Sequence, residues 1–265
     1  MSTDRMSRRQ LAFRADFRAR IATAYSGPLH VALIVAIGFA TIFYCARQIG
    51  HPAWYEWLVI PVAFCVSNVF EWWIHKYIMH RPVRGGMGIY KRHVLAHHQF
   101  FTDIEPTIDS PRDFRIVFFP PYALVAFICL SIPPALALNL LGLPDAGWLV
   151  LITNVGLYLN YELFHFCCHV KDDSLVHRIP LVNSIRRHHI AHHNPAIMME
   201  RNFNLTYPVA DWFFGTSDLK CGLIAHILNG YKTGNVLVNL KQVRHSVDNI
   251  QAGQIRAGQI SVGAK

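Results

Sequence analysis

The sequence predicts an all-α integral membrane protein, a four-helix bundle with a helical, histidine-rich cap on its cytoplasmic side. Three observations predict it. Hydrophobic residues make up 52% of the 265 residues and charged ones only 15%, and the mean hydropathy is +0.24, which is the balance of a chain that meets lipid. Four apolar stretches, near 28–46, 53–74, 116–141 and 147–166, each approach the ~20 residues that a helix needs to cross a bilayer. Basic residues alternate between the connections, as the positive-inside rule requires.

The elements follow in order. Residues 1–27 carry Arg5, Arg8, Arg9, Arg14, Arg18 and Arg20, with Phe13, Phe17 and Ile21 recurring every four residues. This reads as an amphipathic helix on an anionic membrane face or as a disordered basic tail. The first span follows without a signal-peptide cleavage pattern. The loop near 47–52 holds only Arg47, whereas the connection after the second span holds Lys76, Arg81, Arg84, Lys91, Arg92, Arg112 and Arg115. The third stretch contains Pro120-Pro121 and Pro133-Pro134, so it reads as one kinked helix or as two half-helices. The turn "LGLPDAG" has no basic residue, and the segment after 166 is basic again, with Lys171, Arg178, Arg186, Arg187 and Arg201. Both termini therefore read as cytoplasmic, in a bacterial inner membrane or the endoplasmic reticulum. The membrane domain covers 28–218, and 219–265, which repeats "AGQI", reads as a tail.

The formal charge of +9 lies between apolar runs and forms no nucleic-acid-binding motif. The six cysteines lack metal or disulfide spacing and read as small buried apolar residues.

The chemistry lies in the histidines. Of 16, eleven fall in four clusters: His75 and His80; His93, His97 and His98; His165 and His169; His188, His189, His192 and His193. All four clusters lie on the face assigned to the cytoplasm from Lys and Arg alone. Glu71 and Glu162 precede the first and third clusters, so two helices deliver Glu and His to one face. On a helix, residues i and i+4 sit about 40° apart and i and i+3 about 60° apart, so His93/His97, His165/His169 and His189/His192/His193 can each face one site. His75 and His80 are roughly 140° apart on a regular helix, and Pro82 predicts fraying near His80. His30, His51, His177, His226 and His245 stand alone and read as packing or surface residues. Crowded imidazoles repel one another when protonated, and metal coordination explains their density. A catalytic ion takes three to five protein ligands, so nine or ten ligands imply two ions. Imidazole accepts both zinc and iron.

The order of the clusters resembles the fatty acid hydroxylase/sterol desaturase superfamily of membrane di-iron oxygenases. Its boxes HX(3–4)H, HX(2–3)HH, HX(3)H and HX(2)HH are matched by His75/His80, His93/His97/His98, His165/His169 and His189/His192/His193. His188 is an alternate ligand in the last box, although spacing points to His189. Glu71 matches the acidic residue before the first box. "NFNLTYPVADWFFGT" is similar to the family's N…WDxxFGT stretch, through Asn202, Asp211 and Gly215. The resemblance implies that the ten histidines hold two iron ions, with Glu71, Glu162, Asn202 and Asp211 supporting them. It implies O2 as co-substrate, a membrane lipid as substrate and a separate electron donor, cytochrome b5-like or a ferredoxin with its reductase. The reaction expected is hydroxylation of an unactivated C–H bond. Desaturation on the same site is the close rival, although acyl-CoA desaturases normally carry three boxes. A metal transporter should place its ligands mid-membrane, and a haem carrier should pair axial histidines within the spans, where only His30 lies deep enough.

Overall fold

The computed structural model describes residues 6–171, 174–229 and 232. Every regular element among them is helical. Helix α1 (Arg8–Ala19) begins at Ser7, whose hydroxyl accepts from Gln10 N at 3.1 Å. Helix α2 (Gly27–Gln48) begins at Ser26 with Pro28 in its first turn, a pairing that satisfies one orphan N–H and needs none from proline. A 3-10 turn (Glu56–Leu58) leads into α3 (Val59–Ile74), which runs on as a π-turn, His75–Met79. Helix α4 (Met87–Arg92) likewise runs into a π-turn, His93–His97, and then α5 (His98–Phe100).

The third apolar region is divided at its first proline pair and continuous through its second. Helix α6 (Phe114–Val117) ends before Pro120, and α7 (Pro121–Leu140) starts on Pro121 and carries Pro133 and Pro134 within it. Helix α8 (Pro144–His169) is 26 residues long, about 39 Å at the usual rise. It packs against α2, α3 and α7. Gly147 permits the close approach to α7, since a Cβ there would lie 2.6 Å from Ala135 O. Within this packing Ser67 donates to Asn154 Oδ1 at 3.0 Å, and Asn154 Nδ2 donates to Ser131 Oγ at 3.1 Å, a polar link of the kind that joins helices in lipid. At the far end Glu56 accepts from Ala146 N at 2.9 Å, in the first turn of α8, where a carboxylate is favoured.

Among the described residues, three helical stretches are long and apolar enough to cross a membrane: Gly27–Gln48, Glu56–Met79 and Pro111–Leu140. The fourth expected span, 147–166, lies inside α8. That helix is long enough but carries Asn154, Asn160 and Glu162, with many of its side chains buried against the other helices. A helix shielded by three apolar neighbours can be less apolar than they are.

Beyond the long helices come a 3-10 turn (Leu175–Arg178), α9 (Val182–His192), α10 (Val209–Phe213) and α11 (Leu223–Ile227). The N-terminal segment forms a helix docked on the protein. Gln10 Nε2 donates to Phe100 O and Glu105 O, and buried Arg14 donates to Thr107 O with its guanidinium 4.4 Å from the Phe100 ring. Arg18 binds both oxygens of Asp113 at 2.7 Å. Phe13 and Phe17 pack on a core of Ile34, Phe100, Phe101, Val117, Leu124 and Val155. Residues 219–229, expected as the start of a tail, carry α11 and the buried His226. The "AGQI" repeat and His245 lie outside the described residues.

Candidate metal centre

Each histidine cluster is placed by local backbone geometry. The expected fraying at His80 does not occur. Instead the chain widens into a π-turn, and His80 N donates to His75 O at 3.1 Å. An i→i+5 hydrogen bond stacks residues five apart on one face. His75 and His80 thus point together, which the 140° of a regular α-helix forbids. The second π-turn does the same for His93 and His98, whose backbone N–H bonds to His93 O, and sends the intervening His97 in another direction.

The imidazoles converge in two adjoining groups. His75, His80, His93, His98 and His192 form the first, and His97, His165, His169 and His189 the second, with ligand atoms within 4.8 Å of one another in each. In the first, Nε2–Nε2 separations are 2.8 Å for His75–His93, 2.9 Å for His80–His192 and 3.1 Å for His93–His98. In the second they are 3.3 Å for His97–His165, 3.2 Å for His165–His169 and 3.1 Å for His169–His189. His193 joins this side, its Nε2 3.0 Å from that of His189 and its ring centroid 4.5 Å from that of His98. Box membership does not decide group membership: the second box supplies both groups, and so does the last.

The tautomers are fixed from behind. His75, His97, His169, His192 and His193 each place Nδ1 against a backbone carbonyl, of Phe203, Ile116, Pro106, Arg201 and Phe101 respectively. A carbonyl only accepts, so Nδ1 carries the proton and Nε2 turns a lone pair inward. Lone pairs facing one another at such distances repel unless a cation lies between them. Nitrogens at about 2.1 Å from a metal and at right angles to each other stand roughly 3.0 Å apart. The donor set therefore fits metal ions. Burial, reinforced by the neighbouring imidazoles, holds His93, His97, His98, His189, His192 and His193 well below the ordinary histidine range. They are neutral, as ligation requires.

The remaining expected residues lie outside both groups. Glu71 accepts from Leu205 N at 2.6 Å and from the Thr206 hydroxyl at 3.4 Å. Glu162 accepts from Phe119 N at 3.0 Å. Asp211 accepts from Phe203 N at 3.0 Å, Asn204 N at 2.6 Å and Thr216 Oγ1 at 2.5 Å. Asn202, at φ 60°, donates to Asp218 Oδ1 at 2.9 Å and to His188 O at 3.2 Å. A left-handed backbone is one that asparagine tolerates. His188 points away from the imidazole groups, its Nε2 donating to Asp211 Oδ2 at 3.1 Å. His226, which sequence reading set aside as isolated, donates from Nε2 to His188 Nδ1 at 3.0 Å and holds Ser217 Oγ at 3.1 Å. A hydrogen-bonded line therefore runs from His226 through His188, Asp211 and Phe203 to His75. No periodicity marks His226, because the link exists only in space. His30, expected as a packing residue, has both nitrogens engaged, Nε2 with Phe119 O at 2.9 Å and Nδ1 with Tyr25 OH at 2.8 Å.

A small cleft reaches His93 of the first group and His97 and His165 of the second, between Ile89, Arg92, Ile116, Val117, Phe119 and Tyr161. Residues 60–216 match the model of a family described as fatty acid hydroxylase. No curated protein and no solved structure matches the chain.

Proposed function

Because the chain belongs to the fatty acid hydroxylase family, we propose that it is a membrane-bound di-iron oxygenase that hydroxylates an unactivated C–H bond of a lipid. It uses O2 and electrons from a separate donor protein. The observation that carries this reading is the pair of adjoining imidazole groups, each with its lone pairs turned inward. Two bound iron ions would supply the activation of dioxygen and the removal of hydrogen from carbon.

The chain's own residues supply the rest. The imidazoles would hold the ions, and backbone carbonyls fix the rings of His75, His97, His169, His192 and His193 before metal arrives. The cleft supports the choice of a lipid. Its non-histidine walls are Ile89, Ile116, Val117, Phe119 and Tyr161 with Arg92 beside them, and it lies where α8 and the segment before α7 meet the histidines; its volume is about 20 Å³, so it must widen to admit an acyl, sphingoid or sterol chain. The histidine-bearing ends are proposed to face the cytoplasm, where the electron donor docks.

Lipid extracts of cells with and without the protein, compared by mass spectrometry, test the reading. The expected product is one oxygen atom heavier than its precursor. A product two hydrogens lighter makes the enzyme a desaturase on the same site. No new lipid from iron-loaded protein supplied with O2 and a reductant overturns the oxygenase reading.

A further inference from the structure

Helix α3 carries Asn68 and Glu71 within a stretch otherwise apolar enough to cross a membrane. Neither belongs to the imidazole groups. Both serve the backbone of one segment. Asn68 Nδ2 donates to Tyr207 O at 2.7 Å, its Oδ1 accepts from Ala210 N at 2.9 Å, and its carbonyl accepts from Asn204 Nδ2 at 2.9 Å. Glu71 takes Leu205 N. The segment lies along α3 itself. The Tyr207 ring sits 5.5 Å from that of Phe64, and the Phe214 ring stacks on Trp72 at 4.3 Å.

Depth follows from the helix rise. Trp54, Tyr55 and Trp57 are exposed at the start of this stretch, where aromatic residues mark a membrane interface. Asn68 lies eleven residues beyond Trp57, about 16 Å along the axis, and half the hydrocarbon core is about 15 Å. The loop that Asn68 supports thus lies beside the inner part of the span. Irregular backbone is tolerated at such depth only where protein satisfies its polar groups, which is what Asn68 and Glu71 do. The outer side of the segment is apolar. Trp212, Phe213 and Phe214 are 47%, 74% and 44% exposed. In water such a patch is costly.

We propose that residues 204–214 form a re-entrant element inserted into the leaflet on the histidine-bearing side, with Trp212, Phe213 and Phe214 against lipid. This rests on the reading that α3 crosses the membrane. The same segment begins at Phe203, whose carbonyl accepts from His75 Nδ1, so contact with lipid is tied mechanically to the first metal group.

Nitroxide labels in the full-length protein test it. They are placed by Phe213→Cys, Val66→Cys and Lys220→Cys on a background of Cys65→Ser, Cys129→Ser and Cys221→Ser. The variants are reconstituted in phosphatidylcholine vesicles and checked for unchanged metal content. Val66 is an exposed α3 side chain, and Lys220 is exposed beyond the segment. The expected result is that the Phe213 label, like the Val66 label, collides with dissolved oxygen more than with a water-soluble nickel complex, while the Lys220 label does the reverse. A Phe213 label that behaves like Lys220, with Val66 in lipid, overturns the insertion and leaves the span intact. A Phe213 label shielded from both colliders also overturns it and shows a protein partner on this face. A Val66 label open to the nickel complex overturns the membrane reading itself.

Discussion

Burial holds the imidazoles of the centre neutral, and that has a consequence for pH. Burial keeps the folded pKa of His93, His97, His98, His189, His192 and His193 below the ordinary value of 6.5. As pH falls through that value the unfolded chain takes up protons that the folded interior refuses, so the contribution present at higher pH is progressively lost. The melting temperature of metal-free protein in detergent should therefore fall steadily below about pH 6.5, and a flat profile would contradict the burial. Ligand removal should separate the two groups. His192→Ala should lower bound iron from about two ions per chain to about one, as should His97→Ala and His169→Ala on the other side, each with turnover abolished and membrane insertion kept. Metal analysis and lipid assays check this, and full turnover by any variant removes that histidine from the centre. His226→Ala breaks the line that ends at His75. Metal affinity should drop, by less than the roughly tenfold to hundredfold that losing a direct outer partner of a ligand costs, because His226 acts through His188, Asp211 and Phe203. His226→Gln, which keeps an N–H to offer His188, should recover part of it in the same titration.

At the scale of the element, the two π-turns decide which histidines meet. Deleting Ile78 from the first would leave His75 and His80 four residues apart, about 40° on an ordinary α-helix, so the pair should still face one site. The first group should then keep its ion, which metal analysis of the purified variant reads directly, and its loss would show that the π-turn does more than absorb one extra residue. Helix α1 is an element whose role changed between sequence and structure. Its arginines suggest a lipid surface, yet Arg14 is 1% exposed and Arg18 clasps Asp113, which is fully buried. Arg18→Ala removes charge-assisted bonds from a carboxylate that must stay buried. It should destabilise the protein by about 2 kcal/mol, seen as a lower melting temperature.

The whole molecule joins helical stretches long and apolar enough to cross a membrane to buried groups of imidazoles that could hold metal, and the proposed chemistry at those groups bears on the source of oxygen. A metal-bound hydroxide on the same imidazoles would perform hydrolysis, since zinc lowers the pKa of bound water to about 7. An oxygenase draws its oxygen from the gas. Turnover under isotopically heavy dioxygen should place label in the lipid product, and turnover in heavy-oxygen water should leave it unlabelled. Turnover should also require an added electron donor. Label from water in an anaerobic reaction would replace the oxygenase with a metallohydrolase.

Sequence by itself determined the all-helical class, the apolar stretches and the family, because hydropathy and the spacing of histidine boxes are local properties of the chain. It also marked eleven clustered histidines, since density alone betrays them; the structure draws ten of these rings together and turns His188 toward Asp211 instead. The grouping was decided only in three dimensions. His97 and His98 are neighbours in the chain and stand in different groups, because a π-turn between His93 and His98 redirects the side chains. Glu71, Glu162, Asn202 and Asp211 were legible as special, but their partners were not. Those partners are backbone groups more than a hundred residues away for Glu71, and forty-three for Glu162, and pairing at that range leaves no periodic trace in the chain. His226 was invisible for the same reason: an isolated histidine acquires a role only when packing sets its ring 3.0 Å from another.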